Sequence, residues 1–310
     1  GSEDKRFKFE IVDAENIPYE AETFDVVIAN HILFYCENLK KTCSEIARVL
    51  KKTGMFVCST YGENHMKEVN DLVRGFDNID EYMQKSQNYG ATVGRYIGRI
   101  LNAQYTMDGA TYHLQANHPD GHTAHGGNPN FGARMWKKEH SDAHSVILSY
   151  LSPDGENGFP GEFTVVVKYE FTEENELKII YRGRSDAATV ANMTNHSYFN
   201  LNGEGSGNVL DQEVCIHAKY FTPVKDSQSI PTGEYVSVEG TPMDFNVSKP
   251  IGRDIEADFE QLKLTGGYDH NYVTDNYARG NVRAIASAYC KESGIGMEVS
   301  SDCPCVQFYA

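Results

Sequence analysis

Glu162-Phe163-Thr164-Val165-Val166-Val167-Lys168-Tyr169-Glu170-Phe171 is the stretch that decides the fold. It is rich in β-branched and aromatic residues and partly alternates apolar with polar, the period of a half-buried strand. Glu173-Glu174-Asn175-Glu176 supplies a polar turn, and Leu177 to Arg182 reads as a returning strand, so the unit is a hairpin. The same grammar continues outward. Strands are expected at Val209 to Ala218, Tyr235 to Val238, Tyr272 to Asp275, Val282 to Tyr289 and Gly296 to Ser301. Short strands at this spacing, joined by Gly, Asn, Pro and Asp, predict a mainly β chain from Tyr89 onward, a large antiparallel sandwich. Gln115 to Phe131 and Leu151 to Gly161 read as long loops, where β proteins commonly build binding sites.

Three polar motifs punctuate this β region. Asn195-His196-Ser197-Tyr198-Phe199-Asn200-Leu201 sets an imidazole among an amide, hydroxyls and aromatics. His125-Gly126-Gly127 lies upstream and Tyr268-Asp269-His270-Asn271 downstream. Aromatic faces pack on sugar rings, amides and hydroxyls read sugar hydroxyls, and imidazole moves protons near neutrality. Each motif alone also fits a structural role: a satisfied histidine at 196, a loop histidine packed on glycines at 125, an Asx turn at Asp269, and a surface strand arginine at Arg99. Their company in one chain points to one site.

Together with Gly90-Ala91-Thr92-Val93-Gly94-Arg95, Gly98-Arg99-Ile100 and Val306-Gln307-Phe308-Tyr309, these motifs fall in an order that resembles the aldose 1-epimerases (galactose mutarotases). The resemblance covers residues 71–310 and implies a galactose mutarotase-like supersandwich that interconverts the α and β anomers of hexoses such as galactose or glucose. Ring opening needs a base for the anomeric hydroxyl proton and an acid for the ring oxygen, with roles reversed on closure. No metal or redox cofactor is required. By resemblance His196 is the acid, His125 binds or polarises the ring region, and Arg99 and Asp269 bind substrate. An ionised carboxylate only accepts hydrogen bonds, which suits a sugar diol. Trp136, the single tryptophan, is expected in the core. The family has Asn-Arg where this chain has Gly98-Arg99, so one amide contact is expected to be lost. The family's base is a glutamate in a strand after the Gln-Phe-Tyr motif, a position beyond Ala310, and Glu234 and Glu298 match no catalytic motif. A missing proton-transfer group lowers rates by ~10²- to 10⁴-fold. The alternatives kept open are a sugar-binding relic without turnover, a chimera, and, last, methyl transfer.

Residues 3–70 read differently. Phe24-Asp25-Val26-Val27-Ile28-Ala29-Asn30 has the continuous apolar pattern of a parallel strand covered on both faces. Leu39, Cys43, Ile46, Ala47 and Leu50 recur at helical spacing, Gly54 is the expected helix stop, and Met55 to Thr60 is a second strand. With Asp13-Ala14-Glu15-Asn16-Ile17-Pro18 and Arg48-Val49-Leu50-Lys51, this partial α/β, Rossmann-like segment resembles the C-terminal half of a class I S-adenosylmethionine-dependent methyltransferase. The Gly-rich turn that would hold the cofactor is not in the sequence, so no cofactor is expected. Met66 to Phe76 suits an amphipathic helix, while Leu72 to Asp77 also suits an epimerase strand and turn, which puts a fusion point near Gly75. Gly1-Ser2 (residues 1–2) reads as a cloning scar.

The 310 residues carry a net charge of -16, which argues against nucleic acid or an anionic membrane as partner and fits a neutral small-molecule hexose. No apolar run approaches the ~20 residues of a membrane span. Nothing at the start reads as a secretion signal. Seven scattered cysteines suggest a reducing, cytoplasmic setting. Cys36, Cys43 and Cys58 are expected to be buried thiols, and Cys303-Pro304-Cys305 lacks zinc spacing. The sequence leaves the oligomeric state open.

Overall fold

The computed structural model describes residues 12–30, 36, 38–59, 72–76, 80–82 and 88–310, with the side chains of Asn30, Cys58 and Ser59 excepted. It divides into two compact units, Gly1–Val69 and Asn70–Ala310.

In the first unit β1 (Phe24–Asn30) is followed by α1 (Leu39–Val49) and β2 (Leu50–Ser59). The strands pair in parallel, Val26 to Met55 through Asn30 to Ser59. Asn38 caps the helix, accepting from the Lys41 amide at 3.0 Å. Three expectations are corrected here. The helix ends at Val49, because Leu50 is already extended; Gly54 instead sits inside β2, at the irregularity where the register jumps from Phe24/Leu50 to Val26/Met55. A Cβ at Gly54 would lie 2.9 Å from the Lys51 carbonyl oxygen, so the close approach, not a helix cap, requires glycine. The strands are not covered on both faces: Ile28 is 68% and Met55 57% exposed. Cys43 is exposed, since α1 turns only Thr42, Ile46 and Val49 inward, and Cys36, ahead of the helix, is half-buried. The Cys58 side chain and Met66 to Val69 lie outside the described residues.

The second unit is built of short strands: β3 (Thr92–Val93), β4 (Arg99–Ile100), β5 (Gln104–Met107), β6 (Ala110–His113), β7 (Thr123–Ala124), β8 (Lys137–Ser141), β9 (Ser145–Ser152), β10 (Phe163–Phe171), β11 (Leu177–Ser185), β12 (Thr194–Asn195), β13 (Glu213–Ile216), β14 (Ala218–Thr222), β15 (Val236–Ser237) and β16 (Lys249–Pro250). A short helix α2 (Glu260–Thr265) precedes β17 (Asp269–Thr274), β18 (Arg283–Tyr289), β19 (Gly296–Ser301) and β20 (Cys305–Tyr309). The expected hairpin is present. β10 and β11 run antiparallel from Phe163/Ser185 to Phe171/Leu177. Asn175 takes the left-handed backbone of the turn (φ 61), a conformation asparagine tolerates better than most residues. Phe163, Val165 and Val167 point inward on alternate positions. The expected strand from Val209 to Ala218 is shorter and broken: β13 stops at Ile216 and the chain restarts at Ala218 in another sheet.

Three antiparallel four-stranded sheets result, ordered β11-β10-β9-β8, β16-β13-β18-β19 and β15-β14-β17-β20. The last two share a core of Val214, Ile216, Phe221, Met243, Phe245 and Tyr272, which makes them the two layers of a sandwich. Trp136 packs beside Phe131 and Tyr150 and donates to the Phe131 carbonyl at 2.9 Å, a core placement as expected. Among Leu72 to Phe76 the extended reading prevails: Val73 bridges Phe199, and the Asn200 and Arg74 amides donate to the Leu72 and Tyr198 carbonyls at 2.8 and 2.9 Å. Among the described residues no helix is long and apolar enough to cross a membrane.

Candidate functional site

His125 is placed by a two-strand ladder. β4 pairs with β7, Arg99 opposite Ala124. The His125 amide donates to the Gly98 carbonyl at 2.9 Å, and the Gly98 amide approaches His125 Nδ1 at 3.3 Å. An Nδ1 that accepts leaves the neutral ring's proton on Nε2. His125 has φ 51 and is followed by Gly126 at φ 84. A Cβ on Gly126 would stand 2.2 Å from the Gly94 carbonyl oxygen, so only glycine lets this loop close on the β3 region.

His196 comes from the other side of that region. β12 pairs with β3, Asn195 opposite Thr92. The His196 amide donates to the Ala91 carbonyl at 2.9 Å, and its carbonyl accepts from Gly90 at 3.0 Å. Asn195 Nδ2 donates to the Gly90 carbonyl at 2.9 Å, and Ser197 Oγ donates to Asn195 Oδ1 at 2.5 Å. The local motif therefore fixes its own backbone.

The two imidazoles, 71 positions apart in sequence, meet edge to face with centroids 5.3 Å apart. Burial, the neighbouring His196 and the Arg99 guanidinium press His125 down to about 4, against the opposing pull of Asp269. Burial also lowers His196, with its own backbone and the Asp269 carboxylate working the other way. Asp269 opens β17 opposite Tyr309 of β20. It accepts from Gln307 Nε2 at 2.8 Å. Arg99 is half-buried, and its Nε finds no hydrogen-bond partner among the described residues. The four residues expected from the sequence, Arg99, His125, His196 and Asp269, thus lie in one electrostatic neighbourhood.

Two neighbours had no assigned role in the sequence. Gln307 holds Asp269, and the Tyr198 ring lies 5.2 Å from His196 and 5.8 Å from Tyr309. Strand alternation carries the signal for the first. Val306 and Phe308 pack on the core, so Gln307 and Tyr309 must face the other way, beside Asp269. Not every histidine joins. His270 is turned into the core, its Nε2 near Gln261 Oε1 at 3.3 Å, and His122 is buried between the Asn102 amide and Gln228. Among the described residues no group of three or more His, Cys, Asp or Glu side chains is placed to hold a metal ion.

Comparison with known proteins agrees with this architecture. The family model for aldose 1-epimerase matches residues 61–310, and one for a methyltransferase domain matches residues 1–58. The galactose mutarotase of Bos taurus is 39% identical over 239 residues, 77% of this chain and 67% of that protein. The aldose 1-epimerase of Escherichia coli (strain K12) is 34% identical over 243 residues, 78% of this chain and 68% of that one. The solved structure of a GalM/aldose epimerase homologue from C. elegans superposes with a TM-score of 0.68 at 30% identity, covering 76% of this chain and 69% of its own. Galactose 1-epimerase from Lactobacillus acidophilus gives 0.62 at 29% identity over 71% of this chain. The chain spans about two thirds of the length of these relatives, 67% of the bovine protein and 63% of the Lactobacillus one. The N-terminal segment resembles a methyltransferase domain, and the chain as a whole, through residues 61–310, belongs to the aldose 1-epimerase family.

Proposed function

We propose that the site around His125 and His196 binds a hexose and opens its ring at the anomeric carbon, interconverting the α and β forms. The observation that carries this reading is the perpendicular imidazole pair at 5.3 Å, with the Asp269 charge acting on both rings. In its imidazolium form His196 donates a proton to the ring oxygen O5 as the C1–O5 bond breaks, and is left as the neutral ring. The proton on the anomeric hydroxyl leaves to a base, and the electron pair of that O–H bond forms the C=O of the open aldehyde. Rotation about C1–C2 and the reverse transfers give the other anomer. No atom is gained or lost, so no cofactor or redox partner enters. His125, neutral at physiological pH, offers its Nε2–H to a sugar oxygen. Arg99 donates and Asp269 accepts, which together fix neighbouring hydroxyls. Family resemblance assigns the base to a glutamate in a strand after Val306–Tyr309.

The second reading is binding without turnover. Asp269, held by Gln307, serves as a sugar-holding group in either reading. The acidic net charge of -16 fits a neutral sugar partner and a chain that keeps off nucleic acid and anionic membranes. Polarimetry of freshly dissolved α-D-galactose separates the two. A rate above the buffer background that disappears in His196→Asn supports mutarotation. Calorimetric binding of galactose with no added rate supports the binding module, and neither binding nor rate removes both.

A further inference from the structure

Cys303-Pro304-Cys305 is a motif that the ring-opening chemistry leaves unused. It occupies the bend between β19 and β20. Asp302, Cys303 and Pro304 lie outside both strands, and Cys305 opens β20 opposite Val273. Main-chain atoms pin this bend. The Cys303 amide donates to Ser301 Oγ at 2.9 Å, and the Cys303 carbonyl accepts from Arg283 Nη2 at 3.2 Å. The Thr274 amide donates to the Pro304 carbonyl at 2.9 Å. The Thr274 hydroxyl faces two successive carbonyls, that of Cys303 at 3.4 Å and that of Pro304 at 2.9 Å. Successive carbonyls of an extended strand point to opposite sides, so two aimed at one hydroxyl mean that the chain curls at Pro304. Two fully extended residues span at most about 7 Å, and a disulfide joins Cα atoms roughly 4.4–6.8 Å apart. The curl brings the two cysteines inside that range. Both thiols are unbridged; Cys303 is exposed and Cys305 half-buried.

We propose that Cys303 and Cys305 form a reversible thiol–disulfide pair whose co-substrate is a low-molecular-weight disulfide. The more accessible Cys303 attacks first. Its thiolate displaces one thiolate from the small disulfide RS–SR, breaking that S–S bond and forming a Cys303–SR mixed disulfide. The Cys305 thiolate then attacks the Cys303 sulfur, expels the second RS⁻ and closes the internal bond. The two protons of the cysteine thiols end on two RSH molecules. Two electrons pass from the cysteines, which are oxidised, to the small disulfide, which is reduced. Excess RSH reverses both steps, because an exposed bond is open to thiol attack. Nothing in this exchange requires a bound sugar.

Peptide mass mapping isolates the pair, because cleavage after Lys291 releases Glu292 to Ala310, which contains these two cysteines and no other. The full chain is held in mixtures of reduced and oxidised glutathione, quenched with an alkylating agent and digested. With free glutathione at about 0.1 mM, the internal bond should exceed the glutathione adduct at either cysteine by about tenfold or more, since a thiol tethered this closely acts at an effective concentration of about a millimolar or above. The peptide should then be two hydrogens lighter than its reduced form and resist alkylation, and a dithiol reductant should restore both thiols. Cys305→Ser should convert the product into a lasting glutathione adduct on Cys303, and Cys303→Ser should slow modification of Cys305 about tenfold or more. Full alkylation of both cysteines after oxidised glutathione overturns the proposal. So do adducts on both cysteines with no internal bond, or a bond from either to a cysteine elsewhere in the chain. An undiminished rate at Cys305 in Cys303→Ser overturns the order of attack. Should a variant not fold, the mass of the peptide from the unaltered chain decides: the internal bond supports the pair, and its absence removes it.

Discussion

His270 shows how much one side chain's surroundings decide. It stands next to Asp269 in sequence, yet strand alternation turns one into the core and leaves the other beside the imidazole pair. Burial drives His270 from an ordinary 6.5 down to about 4, against the weaker pull of Asp269. Between those values the unfolded chain holds a proton that the folded chain does not. Stability from this group is therefore fully present above about pH 6.5 and is lost as pH falls toward 4. For a ring this buried the loss is about 2–3 kcal/mol. Melting temperatures recorded from pH 7 to 4.5 should fall, and His270→Gln should flatten part of that slope; an unchanged slope would contradict the burial argument. Asp269 offers a second test. Its charge raises both His125 and His196, so Asp269→Asn should move the apparent pKa in the rate–pH profile further below 6.5, apart from any effect on affinity. A profile moved upward, or not moved at all, would refute that electrostatic link.

Elements, more than residues, set the positions of these groups. Gly126 is the tightest point of the His125 loop, with φ 84 and no room for a Cβ beside the Gly94 carbonyl. Gly126→Ala should cost about 2–4 kcal/mol in chemical denaturation and weaken sugar binding, because the loop must open to admit the methyl group. The strands that alternate were legible: β10 and β19 carry period-two burial, and their limits fall within about a residue of those expected. Others carried less signal. β8 is exposed at all five positions, the composition of an edge strand, so no apolar pattern marked it. β9, Ser145–Ser152, is a short apolar run whose strand character comes from pairing between β8 and β10. The β5–β6 hairpin had a usable mark, Asp108-Gly109 with φ 52 and 79, a two-residue turn of the kind that suits twisted strands. For the site, the residue types and the order of the motifs pointed to one site, but the distances within it were not legible. The 5.3 Å between His125 and His196 depends on β4–β7 and β12–β3, two-residue ladders too short to leave a periodic trace.

At the scale of the molecule the described residues of the two units differ in how much they bury. The three clusters of packed apolar side chains among the described residues all lie in Asn70–Ala310. The first unit shows a two-stranded sheet with Val26, Ile28, Met55 and Val57 exposed. A two-stranded sheet is marginal by itself, and its helix contributes only Thr42, Ile46 and Val49 to burial. Heating should then give two calorimetric transitions, the smaller and earlier one from the N-terminal unit. A hexose that binds only the folded β unit stabilises it by about 2.7 kcal/mol at one hundred times Kd. For a unit of this size that corresponds to about 5–10 °C. Galactose should therefore move the later transition by several degrees and leave the earlier one in place. S-adenosylmethionine should move neither, because the sequence holds no Gly-rich turn to receive it. A single merged transition, or a shift of the early one with galactose, would show that the two units share their stability; a shift of the early one with S-adenosylmethionine would restore a cofactor role to the N-terminal segment.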